Sequence, residues 1–210
     1  NPIVKAKEIS QNERARMREK MGVPKDAFVV GFAGRLIRTK GWHHFLEAVN
    51  TVTETSEIFF IIAGIGPDTI DVKRVVNRLG LDGRGQIMGH VHDMSHYFSL
   101  IDCFVMPSLW ESHGMTHLEA QAAEVPIIVS NIPGLNATVR PGIDAMVCPP
   151  GDSLAIAQMI VRLKENTDLR NTLVENGLVN FGRFSLAGYK KCIHHLERGY
   201  HKEHAFLESG

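Results

Sequence analysis

Short apolar runs separated by helix-length amphipathic stretches set the narrowest bound on what this chain can become. Ala27 to Ala33, Ile58 to Ala63, Asp102 to Met106 and Val125 to Val129 are rich in Val, Ile and Phe and end at Gly, Pro or a charged residue, as strands buried on both faces do. Gln86 to Met88 and Ala145 to Cys148 carry the same signal more weakly. Between them, Lys40 to Thr53, Asp68 to Leu79, Ser95 to Leu100 and Met115 to Ala123 have helical patterns. Continuous apolar strands alternating with helices predict βαβ units, hence an α/β domain whose parallel sheet of about six strands is covered on both faces.

The character changes after Pro149-Pro150-Gly151. Asp152 and Ser153 suit the start of a helix to about Lys164, Asp168 opens a second, and Ser185 a third ending near Tyr200. Residues 1–27 read as a charged lead-in with a helix over Glu8 to Met21, broken by Gly22 and Pro24. Residues 28–184 form the sheet domain, and 185–210 a C-terminal helix and tail of the same domain. There is no internal repeat.

Lysine plus arginine balances aspartate plus glutamate at 23 each, which removes any compositional case for nucleic acid. No apolar run approaches the roughly 18 residues that cross a bilayer, and Asn1 to Lys5 do not form a secretory apolar region. Cys103, Cys148 and Cys192 are widely and irregularly spaced, so neither a disulfide framework nor a cysteine zinc site follows. A cytoplasmic protein is expected, with the inner face of the membrane as an alternative location.

Four segments carry polar chemistry, and each follows a predicted strand, where open α/β sheets collect their ligands. In Gly34 to Gly41, Arg35, Arg38 and Lys40 stand in a loop leading into a helix. A bidentate Arg and a Lys point charge suit a diphosphate; a solvated basic turn would look the same. Ala63-Gly64-Ile65-Gly66-Pro67-Asp68 lets the backbone turn tightly, without a dinucleotide or P-loop fingerprint. Met88 to Asp93 can set main-chain groups beside a base, and its His90 and His92 lack the further ligand a metal site requires. In Pro107 to Ala120, Glu111 sits in a loop, Gly114 opens a helix, and Glu119 lies about a turn and a half inside it. Two such carboxylates can accept hydrogen bonds from hydroxyls at two points of one ligand, while free N–H groups of Gly114, Met115 and Thr116 suit phosphate.

Taken together and in this order, the segments resemble the C-terminal domain of retaining glycosyltransferases of the GT-B fold, closest to glycosyltransferase family 4 (group 1). That family's hallmark is a pair of glutamates separated by seven residues, which Glu111 and Glu119 match. Gly34-Arg35-Leu36 with Lys40-Gly41, Gly64 to Pro67, Glu119 to Ala122 with Pro126, and Pro149 to Asp152 continue the match over about residues 28–200. The resemblance implies a Rossmann-like three-layer domain, one half of a GT-B fold. It also implies a nucleotide-diphosphate sugar (UDP-, GDP- or ADP-) as donor substrate, with no cofactor and no obligatory metal.

By the same resemblance, Arg35 and Lys40 bind the donor diphosphate and stabilise the leaving group, while Glu111 contacts the transferred sugar near its reacting carbon. Glu119 takes the ribose hydroxyls, His113 to Thr116 offer main-chain donors with Gly34 and Gly64 close by, and Val91 meets the base. The sugar passes to an acceptor with retention, in glycan, lipopolysaccharide or polysaccharide synthesis.

His113, Glu124, Ala137 and Asp144-Ala145 depart from the common pattern; Glu124 stands at a helix end where Gly is easiest. Only one sheet is encoded, so the N-terminal domain, which carries most of the acceptor site and any peripheral membrane contact, is expected to be missing and the isolated chain inactive. Whether the chain is an excised domain or a natural half stays open. Two rivals share the fold: a non-catalytic nucleotide-binding domain, and half of a GT-B UDP-sugar epimerase.

Overall fold

Every residue of the central strand β1 (Phe28–Ala33) is buried. In the computed structural model, which describes residues 10–53, 56–112 and 114–185, this strand pairs in parallel with β2 (Ile58–Ala63) on one side and β4 (Cys103–Met106) on the other. β3 (Gly85–Gly89) extends the sheet beyond β2, and β5 (Ile127–Ser130) and β6 (Met146–Cys148) beyond β4, all parallel. The order is β3-β2-β1-β4-β5-β6. It reverses between β1 and β4, and the crevice at such a switch point is where doubly wound sheets place their ligands.

Alternate strand residues feed two apolar layers. Val30, Phe32, Phe60 and Ile62 pack under α2 (Trp42–Thr53), α3 (Thr69–Arg78), α7 (Ser153–Glu165) and α8 (Thr167–Phe184) with Phe45, Leu46, Val72, Ile160 and Leu173. Val29, Ile61 and Phe104 face Tyr97 and Phe98 of α4 (Met94–Leu100), Ala120 of α5 (Thr116–Ala122) and Leu135 of α6 (Pro133–Asn136). Burying each Val, Leu, Ile or Phe side chain among these contributes about 1.5–3 kcal/mol.

The lead-in helix α1 (Gln11–Lys20) buries none of its own residues. Arginines hold it. Arg14 donates to the carbonyls of Ser99 and Ile101 and to Asp102, and Arg18 to the carbonyl of Leu100. These bonds satisfy carbonyls that the end of α4 leaves unpaired.

Where element boundaries differ from expectation, the backbone explains it. β4 starts after Asp102, because that carboxylate is occupied by Arg14 and by the main-chain nitrogen of Val29. Arg38–Lys40 forms a 3-10 turn ending at left-handed Gly41, so α2 starts at Trp42 rather than Lys40. β5 starts at Ile127, because Val125 still donates to the carbonyl of Ala120 and Glu124 to that of Gln121. That double bond is the Schellman closure of α5, and it puts Glu124 at φ 61°, the left-handed position its departure from Gly had marked. The four-residue α6 has no expected counterpart. Of the expected C-terminal helix, all but Ser185 lies outside the described residues, as do Cys192 and His113. No helix among the described residues is long and apolar enough to cross a membrane.

Candidate functional site

The loops after β1, β2 and β4 meet above the switch point. Leu36 donates to the carbonyl of Ile65 and accepts from the nitrogen of Asp68, both at 3.0 Å, joining the first loop to the second. Trp42 Nε1 reinforces the seam by donating to Asp68 Oδ2 at 2.9 Å. On the other flank Gly41 has φ 73°, and a Cβ there would sit 1.9 Å from the carbonyl oxygen of Pro107. Only glycine permits both that conformation and that approach. Sequence reasoning placed this glycine in the loop; the structure shows that it brings Lys40 beside the β4 loop.

A cavity of about 250 Å³ lies between these loops, lined by Gly34, Arg35, Lys40, Ser108, Glu111, Gly114, Met115 and Thr116 among others. Within it Lys40 Nζ donates to Glu111 Oε2 at 2.5 Å. The Glu111 side chain is 9% exposed and that of Lys40 25%. The Glu111 backbone is held from behind by α6: a Cβ on Gly134 would fall 1.9 Å from the Glu111 carbonyl oxygen. Ser108, 1% exposed, has no hydrogen-bond partner for its hydroxyl among the described residues.

A second cavity of about 190 Å³ adjoins the first through Ala33, Gly34 and Thr116, and is lined further by Gly64, His90, Val91, Met94 and Glu119. Burial pushes the Glu119 carboxyl above its ordinary range. The structure corrects one expectation: α5 starts at Thr116 with Met115 at its cap, so Gly114 precedes the helix and Glu119 stands in its first turn. Gly114 takes φ 56°, which keeps it out of the helix. Every expected site residue among the described ones therefore lines one of the two adjoining cavities.

A larger groove of about 770 Å³ runs along α1. It lies by the amino end of β4, where Arg14 meets Asp102, and so away from the carboxyl ends of the strands.

Beneath α5 lies a buried polar network that sequence reasoning missed. His117 Nε2 meets Thr138 Oγ1 at 2.8 Å, and burial lowers the His117 pKa to about 4. Asn180 of α8 donates to the carbonyl of Thr138 and to Gln121 Oε1, and Gln121 donates to the carbonyl of Asp144. The buried Asp144 carboxylate accepts from the main-chain nitrogen of Arg140 at 2.7 Å and from its Nε at 2.6 Å. That accounts for an Asp at 144. The available signal was His117 and Gln121 four residues apart on a helix otherwise carrying Leu118, Ala120 and Ala122 inward.

Residues 13–179 match the sequence family described as glycosyl transferases group 1. The chain belongs to that family. The group 1 domain is 31% identical over 173 residues to alpha-D-kanosaminyltransferase of Streptomyces kanamyceticus, covering 80% of this chain and 44% of that protein. It thus spans less than half the length of the curated relatives it matches. Its fold superposes on an Anabaena protein, HepE, solved with UDP and glucose (TM-score 0.81, 22% identity, 90% of this chain and 53% of that one). It also superposes on the separately solved C-terminal domain of a group 1 glycosyl transferase, LpcC, from Francisella tularensis (TM-score 0.71, 22% identity, 81% of this chain and 91% of that one). The fold is that of the Rossmann-like C-terminal domain of GT-B glycosyltransferases.

Proposed function

We propose that this group 1 domain binds a nucleotide-diphosphate sugar as donor and forms one wall of the active site of a retaining family 4 glycosyltransferase. The observation that carries this reading is the meeting of Arg35, Lys40 and Glu111 in one cavity with Glu119 in the adjoining one. A sugar nucleotide has a matching sequence of groups: base, ribose, diphosphate, sugar. Glu119 accepts from the ribose hydroxyls, with Gly64 and Val91 beside the base. Arg35 and Lys40 face the diphosphate, and Glu111 accepts from hydroxyls of the transferred sugar.

Main-chain donors of Gly114, Met115 and Thr116 complete the cradle beside Gly34. As the bond from the anomeric carbon to the phosphate oxygen breaks, the electron pair stays on the diphosphate. Two cations already in place lower the energy of that charge. The acceptor hydroxyl oxygen then bonds to the same face of the carbon, and its proton passes to the departing diphosphate oxygen.

The acceptor wall is assigned to an N-terminal domain outside this chain. Supporting this, Leu109, Trp110 and Met115 stand 40%, 68% and 46% exposed on the loops around the cleft, an apolar rim suited to being covered. The buried free thiols of Cys103 and Cys148 suit a reducing cytoplasm.

Calorimetric titration with UDP, GDP and ADP tests the reading. One of them binds, and the 210-residue chain alone transfers no radiolabelled sugar until the N-terminal domain is supplied. Binding of none would favour a non-catalytic scaffold, and transfer by the isolated chain would remove the need for a second wall.

A further inference from the structure

The candidate diphosphate site contains its own counter-ion. Lys40 Nζ sits 2.5 Å from Glu111 Oε2, and the two side chains are largely shielded from solvent. Neither backbone is free to withdraw. Lys40 immediately precedes Gly41, which is pressed against Pro107, and the Glu111 carbonyl is pressed against Gly134. An ion pair in such a setting is screened less than one on an open surface, so any anion that enters must compete with it.

Resting on the donor-site reading above, we propose that Glu111 is an electrostatic brake on the diphosphate site. It neutralises Lys40 whenever its carboxylate is not engaged by the hydroxyls of a bound sugar. A sugar nucleotide replaces both halves of the pair at once, offering hydroxyl donors to Glu111 and phosphate oxygens to Lys40. A nucleoside diphosphate offers phosphate oxygens alone. Glu111 then keeps its claim on the ammonium and stands as a negative charge beside the phosphates. The pair thereby favours the intact donor over the spent nucleotide, and departure of the sugar restores the contact that loosens the product.

The test is calorimetry of the 210-residue chain and its Glu111→Gln variant, each titrated with UDP, GDP and ADP and with their glucose conjugates. Gln keeps the shape and removes the charge, and Glu111→Ala serves as a second variant. Removing one charge at this range is expected to tighten nucleoside diphosphate binding roughly tenfold. The sugar nucleotide, which loses its acceptor on Glu111, binds no tighter, so the preference for the intact donor narrows. Unchanged or weaker diphosphate binding by both variants, with the parent chain binding normally, overturns the brake and leaves the donor-site reading standing. Failure of all three proteins to bind any nucleotide overturns both.

Discussion

The main-chain nitrogen of Leu109 donates to the carbonyl of Thr39 at 2.8 Å. This bond crosses the switch point and ties the loop after β4 to the turn that carries Lys40. Lys40 and Glu111, 71 residues apart in sequence, are thereby brought together by main-chain structure. A site assembled in advance spends little binding energy on ordering its loops.

Arg35 is exposed on that framework and lines the first cavity. Arg35→Ala is expected to weaken nucleoside diphosphate binding by about 1–3 kcal/mol, the range of charge-assisted hydrogen bonds. Nucleoside binding and the urea midpoint should stay where they are. A fall in nucleoside binding of equal size would make Arg35 a structural residue.

Glu119 occupies the second cavity, on the side assigned to the ribose. Glu119→Ala is therefore expected to weaken nucleoside and nucleoside diphosphate alike, each roughly tenfold, as loss of a charged hydrogen-bond acceptor does. Comparative titrations check this. If the nucleoside is unaffected while the diphosphate weakens, the carboxylate acts elsewhere on the ligand.

His117 makes stability depend on pH. Its folded-state pKa of about 4 lies below the ordinary 6.5, so the unfolded chain takes up the proton first as pH falls. Its contribution is complete above about pH 6.5 and is lost on descent toward about 4, amounting to about 3 kcal/mol when fully lost. His43, lowered to about 4 by burial and by His44 and Arg38, acts in the same direction. Urea unfolding across this window should show a shallower pH slope for His117→Gln than for the parent chain. Equal slopes would mean that His117 is not the group responsible.

Glu124, at φ 61°, is the one non-glycine with positive φ among the described residues. Left-handed backbone costs a residue with a Cβ about 1–2 kcal/mol, partly offset by the greater freedom that glycine gives the unfolded chain. Glu124→Gly is thus expected to raise stability by about 1 kcal/mol in urea melts. A lowered midpoint would show that side-chain contacts of Glu124 outweigh the backbone relief.

Strands such as Ile58–Ala63 were legible because a run buried on both faces leaves an unbroken apolar signature between charged or glycine boundaries. The carboxylates and cations of the cleft were legible as residue types following strands, and more firmly through their likeness to a family. Their partnerships were not. Nothing periodic links Lys40 to Glu111, since two loops separated by several elements meet only once the sheet order is known. The same holds for Gln121 and Asn180, 59 residues apart, and for α6, whose four residues are too few to show a period.

The bonds from Asn180 to Gln121 and Thr138 also bear on how such domains can be recombined. The helix carrying Glu119 is keyed to a particular amide on α8 through Gln121, and to a particular threonine hydroxyl beyond α6 through His117. A chimaera that imports α5 from a relative inherits one half of this key. Unless Asn180 and Thr138 travel with it or are matched in the recipient, buried polar atoms are left without partners, at about 1–3 kcal/mol each. Exchange of α5 between group 1 domains should therefore succeed when the segments from α5 to α8 move as a single block.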